Sequence, residues 1–139
     1  MKLSAATVAM GDTYEAVVAD NLSRTQIVMY AGTSGDYNPL HTDDLFAREI
    51  AGYPGVFAHG MLTMGMTGRA VTDWVGDGNL TKFGVRFSRQ VWPGDTLTTT
   101  LRVDSVTADS AATLVDIHVS TRNQNGEEVV VGSATARVH

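Results

Sequence analysis

Apolar positions recur along this chain with period two, then with a helical period, then with period two again. After a Met10-Gly11-Asp12 turn, residues 13–19 set Tyr14, Ala16 and Val18 against Thr13, Glu15 and Val17, which predicts a first strand. Ser23-Arg24-Thr25-Gln26 has the form of a capping box, in which the Ser hydroxyl and the Gln side chain satisfy backbone N–H groups reciprocally. It predicts a short helix from Arg24 toward Ala31 that stops at Gly32. Thr42 reads as the cap of a second short helix through Ile50, with Asp43 and Asp44 in its first turn, where the positive dipole end favours them. Gly52-Tyr53-Pro54-Gly55 then breaks the chain into a turn.

The stretch beginning at Ala58 carries one long helix. Leu62, Met66, Ala70 and Trp74 form an i, i+4 row, with Met64, Val71 and Val75 on a neighbouring face. A helix apolar over so much of its circumference is buried. Gly65 and Gly68 each cost about 1 kcal/mol of helix propensity relative to Ala, and their expected use is to let another backbone approach closely. The methionines read as core filler. Four strands are predicted beyond Gly78. From Leu80 to Trp92, Phe83, Val85, Phe87 and Val91 alternate with Lys82, Gly84, Arg86 and Ser88, until Pro93-Gly94-Asp95 ends the run. Arg89 falls in the apolar phase, which implies a bulge, an edge, or an arginine turned inward. Leu97, Leu101 and Val103 mark the next strand and Val115, Ile117 and Val119 the third; an Asn125-Gly126 turn leads into the last, from Val129 to Val138.

These elements are too few for a doubly wound sheet. The economical packing is an α+β fold, a long antiparallel sheet curled round the central helix with a helical insert before it. With 139 residues, 43% of them apolar, one domain over 1–139 is expected. The chain has no cysteine, so a thiolate metal site and a cysteine nucleophile are excluded. Neither a signal-peptide h-region nor a membrane-spanning run is present, which makes a cytoplasmic protein the expectation. A net charge of −5 and a pI near 5.1 argue against nucleic acid as main partner. An anionic ligand would need a local basic patch, for which Arg48, Arg69, Lys82, Arg86 and Arg89 are the candidates beside the ordinary reading of solvated surface charge.

Candidate chemistry concentrates in Gly35-Asp36-Tyr37-Asn38-Pro39-Leu40-His41. Gly35 can take backbone angles closed to other residues, Pro39 fixes its own φ, and Asn38 is pushed from the α region by the following proline. Such a shaped loop can turn a carboxylate and an imidazole toward one point, as general acid/base work requires. Ordinary turn chemistry explains an Asp before a turn and an Asn before Pro equally well. A metal set of His41, Asp43 and Asp44 is a weak alternative, since the three cluster at a helix start with no further ligands elsewhere.

Taken together, Tyr30, Gly32, Thr33, Gly35, Asp36, Asn38, Pro39, Leu40, His41 and Ala47 resemble the signature of the MaoC-like, hydratase-2 family of (R)-specific enoyl thioester hydratases. The resemblance continues through residues 58–63, AHGMLT, residues 71–77, VTDWVGD, and residues 87–95, FSRQVWPGD. It is similar in particular to the catalytic β subunit of heterodimeric (3R)-hydroxyacyl-ACP dehydratases. The resemblance implies a hot-dog fold paired with a second hot-dog subunit, identical or not. It implies reversible syn hydration of a trans-2-enoyl thioester of CoA or acyl carrier protein, with Asp36 and His41 holding the water. It further implies the Gly60 N–H as donor to the thioester oxygen, a role that the start of a helix suits. Asn38 would orient water or thioester, or else serve only as a turn-forming amide. If Lys82, Arg86 or Arg89 meets the phosphates of the carrier, it binds substrate. His59 is expected to fix the helix entry by hydrogen bonding, and His118 and His139 to lie at the surface. No cofactor is required as a prosthetic group, because hydration moves no electrons and the thioester carrier is part of the substrate. A non-catalytic hot-dog subunit and a hot-dog thioesterase are the alternatives; loss of Asp36 or His41 would mark the first, and the Asn-Pro-Leu-His context speaks against the second.

Overall fold

The structure, a computed structural model, describes residues 1–108 and 110–139. Strand β1 is Thr13–Ala19, β2 Leu80–Phe87, β3 Leu97–Ala108, β4 Thr113–Arg122 and β5 Glu128–Val138. They form one antiparallel sheet in the order β1-β3-β4-β5-β2, so β1 and β2 are its edges. The long helix α2, Gly60–Val75, lies against the concave face. Its row Leu62, Met66, Ala70 and Trp74 is buried, as are Val71 and Val75, while Met64 is half-buried. Two apolar clusters meet along it, one around Leu22, Ile27 and Leu97 near its start, the other around Leu101, Ile117 and Val119 near its end. Fully burying side chains of this size contributes about 1.5–3 kcal/mol each, which is why the helix stays inside the sheet's curve.

Several local expectations change. Helix α1 spans Arg24–Ser34, running through Gly32 and ending at Gly35, whose φ of 75° suits the left-handed cap and whose N–H bonds Ala31 O. The position that must be left-handed ends the helix, and a helical Gly only weakens it. Half of the capping box forms. Ser23 Oγ accepts the Gln26 N–H at 3.0 Å, but the Gln26 amide reaches Met66 Sδ at 3.8 Å instead of turning back. After a single 3-10 turn, Pro39–His41, the helical insert is a π turn, Phe46–Ile50, preceded by Leu45 at its N-cap; Asp43, not Thr42, supplies the side-chain bond at its entry, accepting the Phe46 N–H at 3.1 Å. Gly68 faces the Phe83 ring, not a backbone, and Gly65 is exposed with open space beside it. The close backbone approach lies in the sheet, where a Cβ on Gly132 would collide with the Gly84 carbonyl oxygen. Arg89 lies beyond the end of β2 and is exposed, so its apolar phase has no strand to act on.

Asp44 ties the insert to both neighbours, meeting Arg24 of α1 at 2.5 Å and accepting the Val56 N–H at 3.0 Å. The Arg24 hydrogen bond first, then that of Val56, holds its carboxyl below the usual 3.8. A depressed folded-state value means stabilisation that is present above the unfolded value and lost as pH falls through the folded one. Asp44→Asn should therefore lower Tm at pH 7 and flatten the acid limb of a Tm-against-pH curve. Superimposable wild-type and variant curves from pH 7 to 2 would rule this tie out.

Candidate active site

From the glycine stop of α1 the chain enters a run of side-chain to backbone bonds. Ser34 Oγ accepts the Asp36 N–H at 3.2 Å, Asp36 Oδ1 accepts the Asn38 N–H at 3.2 Å, and Asn38 Oδ1 accepts the Leu40 N–H at 3.0 Å. Turn chemistry and a positioned carboxylate are thus one arrangement, because the bonds that shape the loop also hold Asp36. Asn38 has committed its oxygen to the turn; its Nδ2 group remains for any contact with a ligand.

The 3-10 turn buries His41, 8% exposed, while the Asp36 side chain stays 54% exposed. His41 Nδ1 lies 2.6 Å from the Phe57 carbonyl. A carbonyl only accepts, so the neutral ring carries its proton on Nδ1 and turns the Nε2 lone pair outward. Nε2 faces Asp36 Oδ2 at 3.9 Å, too far for a direct hydrogen bond. Two acceptors therefore confront each other across a gap.

His59, at the N-cap of α2, is 2% exposed. Its ring stacks on His41 with centroids 3.8 Å apart and 25° between planes, and it meets Tyr30 of α1 in an edge arrangement at 4.8 Å. His59 Nε2 donates to the Asp36 carbonyl at 3.0 Å, so the expected fixing of the helix entry runs through the Asp36 loop. Asp36, His41 and His59 each bring one potential ligand atom within 4.8 Å of the others. The two rings are stacked, however, and in-plane lone pairs on stacked rings run side by side instead of converging on one ion. Of the metal set considered from sequence, Asp43 accepts the Phe46 N–H at the entry of the π turn and Asp44 binds Arg24 and Val56, which leaves His41 alone.

Gly60 is the first residue of α2, and its N–H has no hydrogen-bond partner among the described residues. It borders a cavity of about 320 Å³ whose walls include Phe57, Thr63, Phe87, Arg89 and Val130. Asp36 and His41 are not among its walls. Phe57 belongs to both regions, since it lines the cavity while its carbonyl holds His41.

The three basic candidates part company. Phe83 and Val85 point inward to the two apolar clusters, so by alternation Lys82 and Arg86 stand on the outer face of β2. Lys82 there neighbours Asp116, whose carboxyl is held low chiefly by hydrogen bonds from Thr135 and Ser105, with Lys82 adding to it. Arg89 alone lines the cavity, with Glu127 at 3.8 Å. The sequence reading named His59 without its stack on His41, and it missed Phe57 and Thr63. The Ala58-His59-Gly60 run directly before the helix was the available signal for the first; carbonyls and core hydroxyls leave no sequence mark.

Among known proteins, the family model described as MaoC like domain matches residues 5–125. The 3-hydroxyacyl-thioester dehydratase Y of Mycobacterium tuberculosis is 45% identical over 71 residues, 49% of this chain and 24% of that protein. The peroxisomal multifunctional enzyme type 2 of Mus musculus is 39% identical over 101 residues, 70% of this chain and 14% of that protein. This chain spans a quarter or less of the length of these two curated relatives. The unliganded R-hydratase PhaJ1 of Pseudomonas aeruginosa superposes with a TM-score of 0.84 and 26% identity, over 99% of this chain and 86% of that one. The MaoC-like dehydratase of Rhodospirillum rubrum does so with a TM-score of 0.81 and 25% identity, over 98% and 96%. The sheet wrapped on α2 is accordingly a hot-dog fold. A family match over residues 5–125 and structural agreement over nearly the whole chain lead to one assignment: this chain belongs to the MaoC-like dehydratase domain family.

Proposed function

We propose that this protein catalyses the reversible hydration of trans-2-enoyl thioesters to (3R)-3-hydroxyacyl thioesters. The observation that carries the reading is the pair of acceptors, Asp36 Oδ2 and His41 Nε2, 3.9 Å apart. Water donates two hydrogen bonds, and with bonds of about 2.8 Å it spans acceptors roughly 4–4.5 Å apart. A substrate water between them would point both hydrogens at the protein and its lone pairs outward, at C3 of the enoyl group. As the oxygen bonds to C3, one of the two acceptors takes a water proton, and that same proton is then delivered to the α carbon on the same face, so the pair ends as it began. The Phe57 carbonyl supports His41 whenever it carries the extra proton, because Nδ1 remains a donor. Negative charge developing on the thioester oxygen would be met by the unpartnered Gly60 N–H at the positive end of α2. Support also comes from the names borne by the relatives, which include hydratases and thioester dehydratases.

Strand β2 is an edge with an unpaired side, and Phe87 at its end, Met61 and Tyr37 are exposed apolar side chains at 48%, 55% and 68%. A second hot-dog subunit on this edge would cover strand and site together. Light scattering should then give at least twice the 14.8 kDa of one chain.

The reaction itself is tested with crotonyl-CoA, following absorbance of the conjugated enoyl thioester beside release of free thiol. Loss of the enoyl signal without thiol is the expected result. Thiol release would indicate a thioesterase instead, and an unchanged signal on both CoA and acyl-carrier-protein substrates a non-catalytic subunit. On the same assay Arg89→Ala should raise KM with little change in kcat, as lost uniform binding does, and the effect should shrink as salt screens an exposed charge. Lys82→Ala and Arg86→Ala, on the outer face, should leave KM unchanged. A KM for Arg89→Ala equal to wild type at low salt would leave the carrier's phosphates without a partner at the cavity.

A further inference from the structure

Two buried side-chain polar atoms lack a hydrogen-bond partner among the described residues, His59 Nδ1 and Thr63 Oγ1. Such orphans are rare in folded proteins, because the group has given up its bonds to water and gained none in return. Both residues are only 2% exposed. They also lie one helical turn apart: the Thr63 N–H is 3.4 Å from the His59 carbonyl, and residues at this spacing set their side chains on one face. Their chemistry is complementary. His59 Nε2 spends its proton on the Asp36 carbonyl at 3.0 Å, so Nδ1 of the neutral ring is a bare acceptor. A threonine hydroxyl is a donor on a rotor.

Building on the hydratase reading, we propose that Thr63 and His59 are positioning residues for that reaction. The Thr63 hydroxyl donates to His59 Nδ1 across one buried water, since the two atoms do not bond directly, and so keeps His59 in the tautomer that holds the Asp36 carbonyl. The bonds then run in one direction, from Thr63 O–H to His59 Nδ1 and from His59 Nε2–H to the Asp36 carbonyl. They tie the loop bearing the carboxylate to the helix that presents the Gly60 N–H, the two halves of the site that must keep a fixed separation. Neither residue touches the reacting atoms. In the opposite tautomer, His59 would turn a lone pair on the Asp36 carbonyl and repel it, while its ring lies 3.8 Å from that of His41. The Asp36 carboxylate would lose its place against His41 Nε2.

The test combines Thr63→Val, which keeps the shape and removes the hydroxyl, with Thr63→Ser, which keeps the hydroxyl. Nitrogen NMR of histidine-labelled protein, recorded without substrate, should show His59 Nδ1 as a hydrogen-bonded acceptor in wild type. In Thr63→Val that resonance should move toward the free-acceptor position, Tm should fall, and kcat on crotonyl-CoA should drop by about tenfold with KM nearly unchanged, a modest case of misplaced catalytic groups. Thr63→Ser should restore all three. An Nδ1 resonance identical in wild type and Thr63→Val overturns the pairing. So does a higher Tm for Thr63→Val, the result expected when a hydroxyl that has no partner is replaced by a methyl group. A shifted resonance with unchanged kcat overturns the positioning role. The resonance and Tm need no turnover, so the pairing can fail with the hydratase reading intact. An enoyl signal that wild-type protein leaves unchanged would remove that reading and leave the tautomer measurement standing.

Discussion

Asp36→Asn and His41→Gln should each lower turnover on an enoyl thioester by about 10²–10⁴-fold, the range of lost general acid/base catalysis. The two variants should differ in stability. Asn at 36 keeps an oxygen for the Asn38 N–H and leaves the backbone carbonyl for His59, so the loop keeps its bonds and Tm should barely move. His41 is buried, stacked on His59 and bonded to the Phe57 carbonyl. A glutamine there loses the stack, and Tm should fall by several degrees, as a loss of about 1–2 kcal/mol does in a domain of this size. His41 is thus partly a core residue, which the loop's sequence did not indicate. Near wild-type turnover in both variants would end the assignment of Asp36 and His41, whatever happened to Tm.

Gly60→Pro should reduce kcat by about 10²–10³-fold, the usual cost of one lost oxyanion donor. Proline is tolerated at the first helical position, and among the described residues no bond is sacrificed there. Gly60→Ala is the control that keeps the N–H. Its Cβ would come 3.2 Å from the Phe87 ring; that ring is half-exposed and can swing aside, so Ala should retain most of its activity. An active Ala variant beside a folded, slow Pro variant supports the backbone donor. Equal impairment would mean that Gly60 is present because the Phe87 ring leaves no room. The thioester oxygen would then need another donor, for which Asn38 Nδ2 is the next candidate.

Local patterning carried much of this protein. The i, i+4 row on α2, the alternation of β1, the Asn125-Gly126 turn and the opening of α2 at Gly60 were all legible, because each depends on spacings of four residues or fewer. Asp36 and His41 stood out for the same reason, being fixed by a glycine, a proline and Asx turns within one short loop. Boundaries failed where two signals competed. Gly32 looked like a stop until the backbone angle at Gly35 showed which glycine had to be one, and the apolar phase of Arg89 suggested a bulge, an edge or an inward arginine until β2 was found to end at Phe87.

The partners of the site belonged to the fold alone. Asp36 and His59 are 23 residues apart in sequence, His41 and Phe57 are 16 apart, and their bonds exist because α2 docks beside the loop. The separation of Arg89 from Lys82 and Arg86 was settled the same way, by which side of β2 faces the core for the latter two and by the cavity wall beyond the end of β2 for Arg89. Sequence alone determined which groups could do acid/base chemistry and the local shape of the loop that holds them, since both are set by covalent geometry and near neighbours. Only the tertiary structure decided the tautomer of His41, the stack beside it and the cavity that Gly60 borders, because those depend on carbonyls, rings and walls brought together by burial.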